Sequence, residues 1–367
     1  MKVRLGDYIE EYSVRNKKGE DIPVYSVTNT QGFCKDYFGK EVASKDKTTY
    51  KIVPRGCFAF NPSRINVGSV DWQRNEERVI VSPLYNVFSV SEQLDQQYLY
   101  YYLKSDFALQ RIRAVATGSV RDNLKLAMLY EFPIELPEIT EQRIIVDKLD
   151  RVKQIISLRE KEVQALDDLI KARFVDMFGA PASNPMGWPE TTVGKVCHYI
   201  KDGPHKSLPD IGQENGGHPF ISVRNIVNHV IDFSTAKYIS DEDYAEARKK
   251  CSPEKGDMLY SKGGTTGIAK LVDIDVEFAN WVHLAVLKFD HSVLDGIFFE
   301  NMLNCDYCYD QSQRLTKGIA NRDLVLSAMA QIKIYRPPMV LQEQFAAFVA
   351  QVDKSKQARE YSGKLAA

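Results

Sequence analysis

Few residues in this sequence are spaced for making or breaking bonds. Cys305-x-x-Cys308 is the one cysteine pair at metal or redox spacing. No second pair or nearby histidine pair completes a four-ligand set, and the surrounding run, NMLNCDYCYD, reads as helix. All six histidines (His198, His205, His218, His229, His283, His291) lie beyond residue 197, and no two stand at i, i+4 with an acid between them. Gly263-Gly264-Thr265-Thr266-Gly267 lacks the lysine of a phosphate-binding loop, and no GxGxxG is present. Asn61-Pro-Ser and Asn184-Pro-Met are not the Asn/Asp-Pro-Pro-aromatic tetrad of adenine methyltransferases. Pro209-Asp210 is not followed by the Glu-x-Lys of a metal-dependent nuclease. We therefore expect no catalysis by this chain, no metal site and no cofactor of its own.

A different chemistry is better represented. Anionic backbones are gripped by Lys, Arg, hydroxyls and backbone N–H, whereas base edges need planar groups that donate or accept in pairs. Such groups gather in Gly- and Pro-bounded loops. Before residue 138 they are Thr28, Asn29 and Gln31, then Asn61, Ser63, Arg64 and Asn66, then Ser119, Arg121 and Asn123. After residue 180 they are His205, Lys206, Ser207, Arg224 and Asn225, then Lys262, Thr265 and Thr266, then Lys317, Asn321 and Arg322. These loops are the expected contact surfaces for DNA.

The elements that position them come as two copies of one unit. Ile22-Pro23-Val24-Tyr25-Ser26-Val27-Thr28-Asn29 returns as His218-Pro219-Phe220-Ile221-Ser222-Val223-Arg224-Asn225. Leu94-Asp95, Leu103, Gly118, Leu124, Ile134 and Pro137 have their partners in Leu294-Asp295, Leu303, Gly318, Leu324, Ile334 and Pro337. Glu141-Gln142 likewise returns as Glu343-Gln344. A repeat this long is a whole duplicated domain rather than a solenoid. The identities fall at Gly, Pro and apolar positions, so the copies share a scaffold, while the polar loops differ. Asn29 and Asn225 recur at matching places, which also suits a role in a turn.

Within each copy, short β-prone runs such as Cys57–Phe60, Asn86–Val90, Asp257–Ser261 and His283–Phe289 precede helical patterns near 95–113 and 295–314. A last strand ends at a proline, giving an α+β fold with a curved sheet and appended helices. Residues 140–178 differ. Ile145, Leu149, Val152, Ile156, Val163, Leu166, Ile170 and Met177 form a seam at alternating spacings, interrupted at Arg159 and Arg173/Phe174. Thr140 is the expected N-cap and Gly179 the stop. The helix would be roughly 58 Å long and would pair with a second helix starting near Leu341. The expected organisation is a first recognition domain over 1–138, a spacer helix over 139–179, a second recognition domain over 180–338, and a second helix over 339–367. That second helix is expected to be cut short, since Gly363-Lys-Leu-Ala-Ala reads like an expression-vector tail.

The chain resembles the specificity subunits of Type I restriction–modification enzymes. The residues that carry the resemblance are Asp202-Gly203-Pro204-His205-Lys206, His218 to Ile226, Lys237-Tyr238-Ile239-Ser240, Lys255-Gly256-Asp257-Met258-Leu259, and Gly264-Thr265-Thr266-Gly267. Pro137, Gln142 and Ile145 at the start of the long helix fit as well. The first copy departs from this pattern, with Asn61-Pro62-Ser63-Arg64 in place of Ser261-Lys262-Gly263-Gly264. The resemblance implies two target-recognition domains, each reading half of a bipartite site on double-stranded DNA. It implies two long helices packed as an antiparallel coiled coil, serving as spacer and as the platform for two methyltransferase subunits. S-adenosylmethionine, ATP and magnesium would belong to those partners and to a restriction/motor subunit.

Composition bounds these expectations. The chain is 44% hydrophobic and 26% charged, as folded domains are, and no apolar run could span a bilayer. The N-terminus lacks a signal core, so a cytoplasmic protein without a membrane role is expected. The net charge of −1 means that any DNA-binding surface is a local patch. The same near-neutrality supports the alternative of a protein-interaction scaffold without DNA specificity.

Overall fold

The β-branched and aromatic runs of the first copy pair as antiparallel strands with apolar residues on both faces. The structure, a computed structural model, describes residues 2–35, 46–116, 123–319 and 321–364, with side chains as far as Lys356. The chain divides into two compact units, Met1–Ser157 and Leu158–Ala367.

In the first unit the strands are β1 (Lys2–Arg4), β2 (Ile9–Glu11), β3 (Ser26–Thr28), β4 (Gly32–Cys34), β5 (Lys51–Pro54), β6 (Phe58–Phe60), β7 (Val70–Trp72), β8 (Arg78–Val81) and β9 (Asn86–Val90). Strands β2-β9-β6-β7 form one antiparallel sheet, β3-β4 a hairpin and β5-β8 a pair. Alternation puts Phe58, Phe60 and Phe88 on one face and Ala59 and Val87 on the other. The phenylalanine face packs on α1 (Gln96–Lys104) and α2 (Asp106–Val115) through Leu99, Leu103 and Ile112. After α3 (Leu126–Tyr130), β10 (Pro133–Glu135) pairs with β1, and α4 (Ile139–Phe178) follows.

The second unit repeats this order. Strand β11 (Glu190–Thr192), α5 (Val193–Val196), β12 (Cys197–Asp202), β13 (His218–Ile221), β14 (Lys237–Ile239), α6 (Asp241–Lys250), β15 (Met258–Ser261), β16 (Ala269–Leu271), β17 (Ala279–Asn280) and β18 (Leu284–Phe289) come first. Helices α7 (Gly296–Asn304), α8 (Asp306–Leu315) and α9 (Leu326–Met329), strand β19 (Lys333–Tyr335) and α10 (Met339–Lys364) follow. Sheet β12-β18-β15-β16 matches β2-β9-β6-β7 in the first unit, and β11-β19 matches β1-β10. The parallel pairing of Phe220 with Ala279 matches the parallel bridge between Val24 and Ile80. The copies part beyond that point: the first makes the β3-β4 hairpin, whereas the second adds β14 and α6.

Three local expectations are corrected. The helical stretches near 95–113 and 295–314 each break in two, because Ser105 and Cys305 take extended backbone and start a new helix. The Ser105 hydroxyl accepts from Ala108 N at 3.3 Å. Cys305-x-x-Cys308 therefore straddles a helix junction instead of lying inside one helix. Thr140 does not cap α4: the helix begins at Ile139, and the Glu138 carbonyl accepts from Gln142 N. Gly179 ends α4 as expected, in the left-handed region at φ 76°.

Each copy fixes the start of its long helix with a buried glutamine. Gln142 Oε1 accepts from Asp95 N at 2.9 Å, and its Nε2 donates to the carbonyls of Gln93 and Pro137 at 2.8 and 2.9 Å. Gln342 does the same with Asp295 N at 2.9 Å, Val293 O at 3.2 Å and Pro337 O at 2.8 Å. Both side chains are fully buried. Asp95 and Asp295 in turn cap α1 and α7 through the N–H groups two and three residues on. The repeat thus equates Gln142 with Gln342, two positions before the Gln344 that the sequence pattern aligned with it.

In the second unit, the end of α4 packs antiparallel to α10. Phe178 lies against Phe345 at 5.6 Å between ring centroids, and Lys356 Nζ meets Asp167 Oδ1 at 2.7 Å. Ile170 is buried, and Leu166 and Met177 are partly buried on the same core. Phe174, an interruption in the seam by sequence, sits at its centre, 5.4 Å from Phe345 and 5.7 Å from Phe298. Val163 and Ile145 are half-buried, whereas Leu149, Val152 and Ile156 are exposed.

Replacing Gln342 by Leu keeps the volume but strands one N–H and two carbonyls. We expect a loss of about 2–3 kcal/mol in the stability of the second unit, read by chemical denaturation. Gln351→Leu, at an exposed position of the same helix, should leave stability within about 0.5 kcal/mol.

Candidate nucleic-acid interface

In the first unit, three loops meet around Lys104, at the C-terminal end of α1. Its Nζ donates to Asn29 O at 2.9 Å and to Gly68 O. This ties the β3-β4 turn to the loop after β6. Thr28 is buried and shapes the turn, its Oγ1 accepting from Gln31 N at 3.0 Å; Asn29 and Gln31 are exposed at the tip. Gly32, at φ 63°, lets the turn close on Asp71, which a Cβ would approach to 1.9 Å. In the second loop, Asn61 Oδ1 accepts from Ser63 N and Oγ at 3.1 and 3.0 Å, and Asn66 O accepts from Arg113 Nε at 3.1 Å. Arg64 is exposed there and makes no ion pair among the described residues. The third segment joins through Leu124 N to Pro62 O at 3.1 Å, which brings exposed Asn123 alongside. Ser119 and Arg121 lie outside the described residues.

Lys104 escaped the sequence reading. It sits inside a helical pattern, and the second copy has Asn304 in its place, which instead bonds Ala269 N and O at 2.9 Å. Burial pulls the Lys104 ammonium below its usual range, and the nearby Asp71 charge opposes that pull.

In the second unit, four segments converge on Lys262. Its side chain is 7% exposed, with Nζ 2.8 Å from Asp323 Oδ1 and 3.6 Å from Asp202 Oδ2. Asp202 also holds Lys250 at 3.0 Å and His205 at 3.6 Å. Lys262 N donates to His283 O at 2.8 Å, and Leu324 N donates to Lys262 O at 2.7 Å. Burial and then the Lys262 charge push His283 below the ordinary histidine range, with the Asp323 charge opposing them. Lys262 is therefore already neutralised by its own fold.

The other residues divide sharply. Asn225 is 1% exposed, and its amide is fully used: Oδ1 accepts from Ser222 N and Oγ, and Nδ2 donates to Asp232 O and Thr235 Oγ1. Thr266 is buried against Thr316 at 3.0 Å between hydroxyls. His205, Lys206, Ser207, Arg224, Thr265, Lys317, Asn321 and Arg322 are exposed. Lys206 stands 4.0 Å from Asp243. His205 and Lys206 follow β12, Thr265 follows β15, and Lys317, Asn321 and Arg322 lie between α8 and α9. Among the described residues, Arg224 and Ser207 make no bond to that group.

What the two clusters offer is a set of exposed cations, amides and hydroxyls on loops held by buried bonds. Such groups can grip phosphate oxygens and base edges. Among the described residues, no group of three His, Cys, Asp or Glu is arranged to hold a metal ion. No described helix is long and apolar enough to cross a membrane.

Comparison with known proteins gives a consistent result. A family model described as the Type I restriction modification DNA specificity domain matches residues 3–167 and again 185–362. The Type I restriction enzyme MjaIX specificity subunit of Methanocaldococcus jannaschii is 22% identical over 316 residues, which cover 82% of this chain and 71% of that protein. The S subunit of a Type I restriction–modification system from M. genitalium is similar in fold, with a TM-score of 0.54, 15% identity, and coverage of 99% of this chain and 92% of that one. A chain from a structural study of the complex assembly and conformational transition of the type I R-M system also scores 0.54, at 19% identity, with coverage of 99% and 93%. With both copies of its duplicated α+β fold matched, the chain belongs to the Type I restriction–modification DNA specificity family.

Proposed function

We propose that each recognition domain, 1–138 and 180–338, reads one half of a bipartite site on double-stranded DNA. The helices over 139–179 and 339–367 set the distance between the halves and dock two methyltransferase subunits. The chain itself performs no catalysis. S-adenosylmethionine would be bound by the methyltransferases, and ATP and magnesium by the restriction/motor subunits. Its place of work would be the cytoplasm, with the DNA.

One observation supports this reading above the others. The two copies keep the same buried bonds, Asp95–Gln142 and Asp295–Gln342, while the loops at matching places carry different polar side chains. Selection for a common scaffold with divergent contacts suits two half-sites of different sequence. A 40-residue α4, about 60 Å long, suits a ruler between sites roughly one DNA turn of 34–36 Å apart. The exposed Leu149, Val152 and Ile156 on α4 suit a surface for partner subunits.

The electrostatics separate two lysine and arginine roles. Arg64 is exposed and without an ion pair among the described residues, so Arg64→Ala should weaken DNA binding at least several-fold in a gel shift with the methyltransferase subunits present, with thermal stability unchanged. Lys262 is buried and shared by two aspartates. Lys262→Met should destabilise the second unit by about 2 kcal/mol or more, because Asp202 keeps a buried charge with one partner fewer. Unchanged stability in that variant would refute the structural role of this lysine.

The ruler is tested by length. Four residues inserted near Val163 add about 6 Å of helix, so the unspecified spacer in the methylated sites should lengthen by about one to two base pairs at roughly 3.4 Å each. Sequencing of methylated sites that returned the original spacer would overturn it.

A further inference from the structure

We propose that Arg322 reads a guanine in the half-site of the second unit, and that Gln313 is the residue that positions it. The assignment rests on the DNA-reading role above and concerns how that reading is done.

Arg322 stands on a loop that is pinned at its root. Lys317 and Asp323 exchange both backbone hydrogen bonds at 2.9 Å, and Gly264 N donates to Arg322 O at 3.0 Å. Asp323 is held in addition by Lys262 at 2.8 Å. The guanidinium is held as well, since its NH2 group donates to Gln313 Oε1. Gln313, on α8, has its own orientation fixed. Its Nε2 donates to Thr266 O at 3.0 Å, and Thr266 is 2% exposed. A carbonyl on one side and a guanidinium on the other leave the amide one sensible orientation.

The first copy has the same brace with a different chemistry. Arg113 occupies the place of Gln313 and donates from Nε to Asn66 O at 3.1 Å. A helix side chain thus ties down the loop carbonyl in both copies. An arginine has only donors, so it cannot hold a second arginine; a glutamine has an acceptor to spare. In the second copy that acceptor faces Arg322. In the second copy the brace thus carries a further task, since the acceptor it has to spare meets an exposed arginine.

Holding an arginine in this way favours base reading over phosphate contact. A phosphate can be met by a swinging cation, and a tether adds little. Bidentate contact with guanine O6 and N7 needs a planar fork in a set direction, and a guanidinium braced beforehand loses less freedom on binding. Arg322 is exposed, and one of its five N–H donors is spent on Gln313. The remaining donors suffice for the pair that guanine accepts.

Methylome sequencing of a host carrying the complete system tests this. The wild type should methylate a bipartite motif with a guanine in one half. Arg322→Ala should accept any base at that one position, with discrimination falling about tenfold or more, and the rest of the motif kept. Arg322→Lys, which keeps the charge and any phosphate contact, should relax the same position. Gln313→Leu should relax it in part, while Gln313→Glu, which still offers Arg322 an acceptor but gives up the bond to Thr266 O, should relax it less. A motif that stays intact in Arg322→Ala and Arg322→Lys, with methylation lowered equally at all sites, would assign Arg322 to a phosphate and overturn the proposal. Equal relaxation in Gln313→Leu and Gln313→Glu would reduce Gln313 to a packing residue. A wild type that methylates without any motif would overturn the DNA-reading role itself, a result distinct from both.

Discussion

A buried glutamine amide at the foot of each long helix is the interaction on which the rest of the structure depends. In water, the three groups it satisfies would be solvated. Inside the fold, each would cost about 1–3 kcal/mol if left alone. Gln142 and Gln342 meet these needs with one side chain apiece, and so couple three segments: the turn before α1 or α7, the proline that ends the last strand, and the first turn of the long helix. Apolar packing would allow the helix to slide or roll, but three directed hydrogen bonds do not. The direction in which each long helix leaves its domain is therefore set by polar geometry.

Above that foot, the copies obey a division between what is bonded inward and what is left outward. Lys104 and Lys262 show that a cation near the exposed polar loops can be spent entirely inside the fold. Lys104 spends its donors on the carbonyls of two loops, and Lys262 spends its charge on two aspartates. Each holds together the surface from which other residues project. Arg64, Lys317 and Arg322 project. A near-neutral chain can present a local basic surface in this way, since many of its lysines are neutralised by internal partners.

The long helix α4 changes character along its length. Near its C-terminal end, Phe174 and Phe178 interlock with Phe298 and Phe345, so that part belongs to the core of the second unit. Between Leu149 and Leu158 the apolar side chains face solvent. The aromatic end supplies anchoring, since rings bury large areas in fixed relative orientations. The aliphatic stretch supplies a surface that gains from being covered.

The sequence by itself determined the duplication, the α+β class and the 40-residue helix, because these rest on periodicity, on Gly and Pro positions and on apolar spacing, all of which are local. Most of the described polar residues it singled out lie between the named strands and helices, although Thr28 ends β3. It could not separate Asn29 from Asn225, which occupy equivalent positions in the repeat. One is exposed in a hairpin turn, whereas the other is buried with its amide fully bonded. It counted Phe174 as a break in a seam, since a heptad pattern cannot see the helix α7 that receives the ring. It took Lys262 for a surface cation, because its partners Asp202 and Asp323 lie 60 and 61 positions away in the chain. Charge pairing across such distances, and the choice of which polar group turns inward, follow from how the strands bring loops together. That was decided only by the tertiary structure.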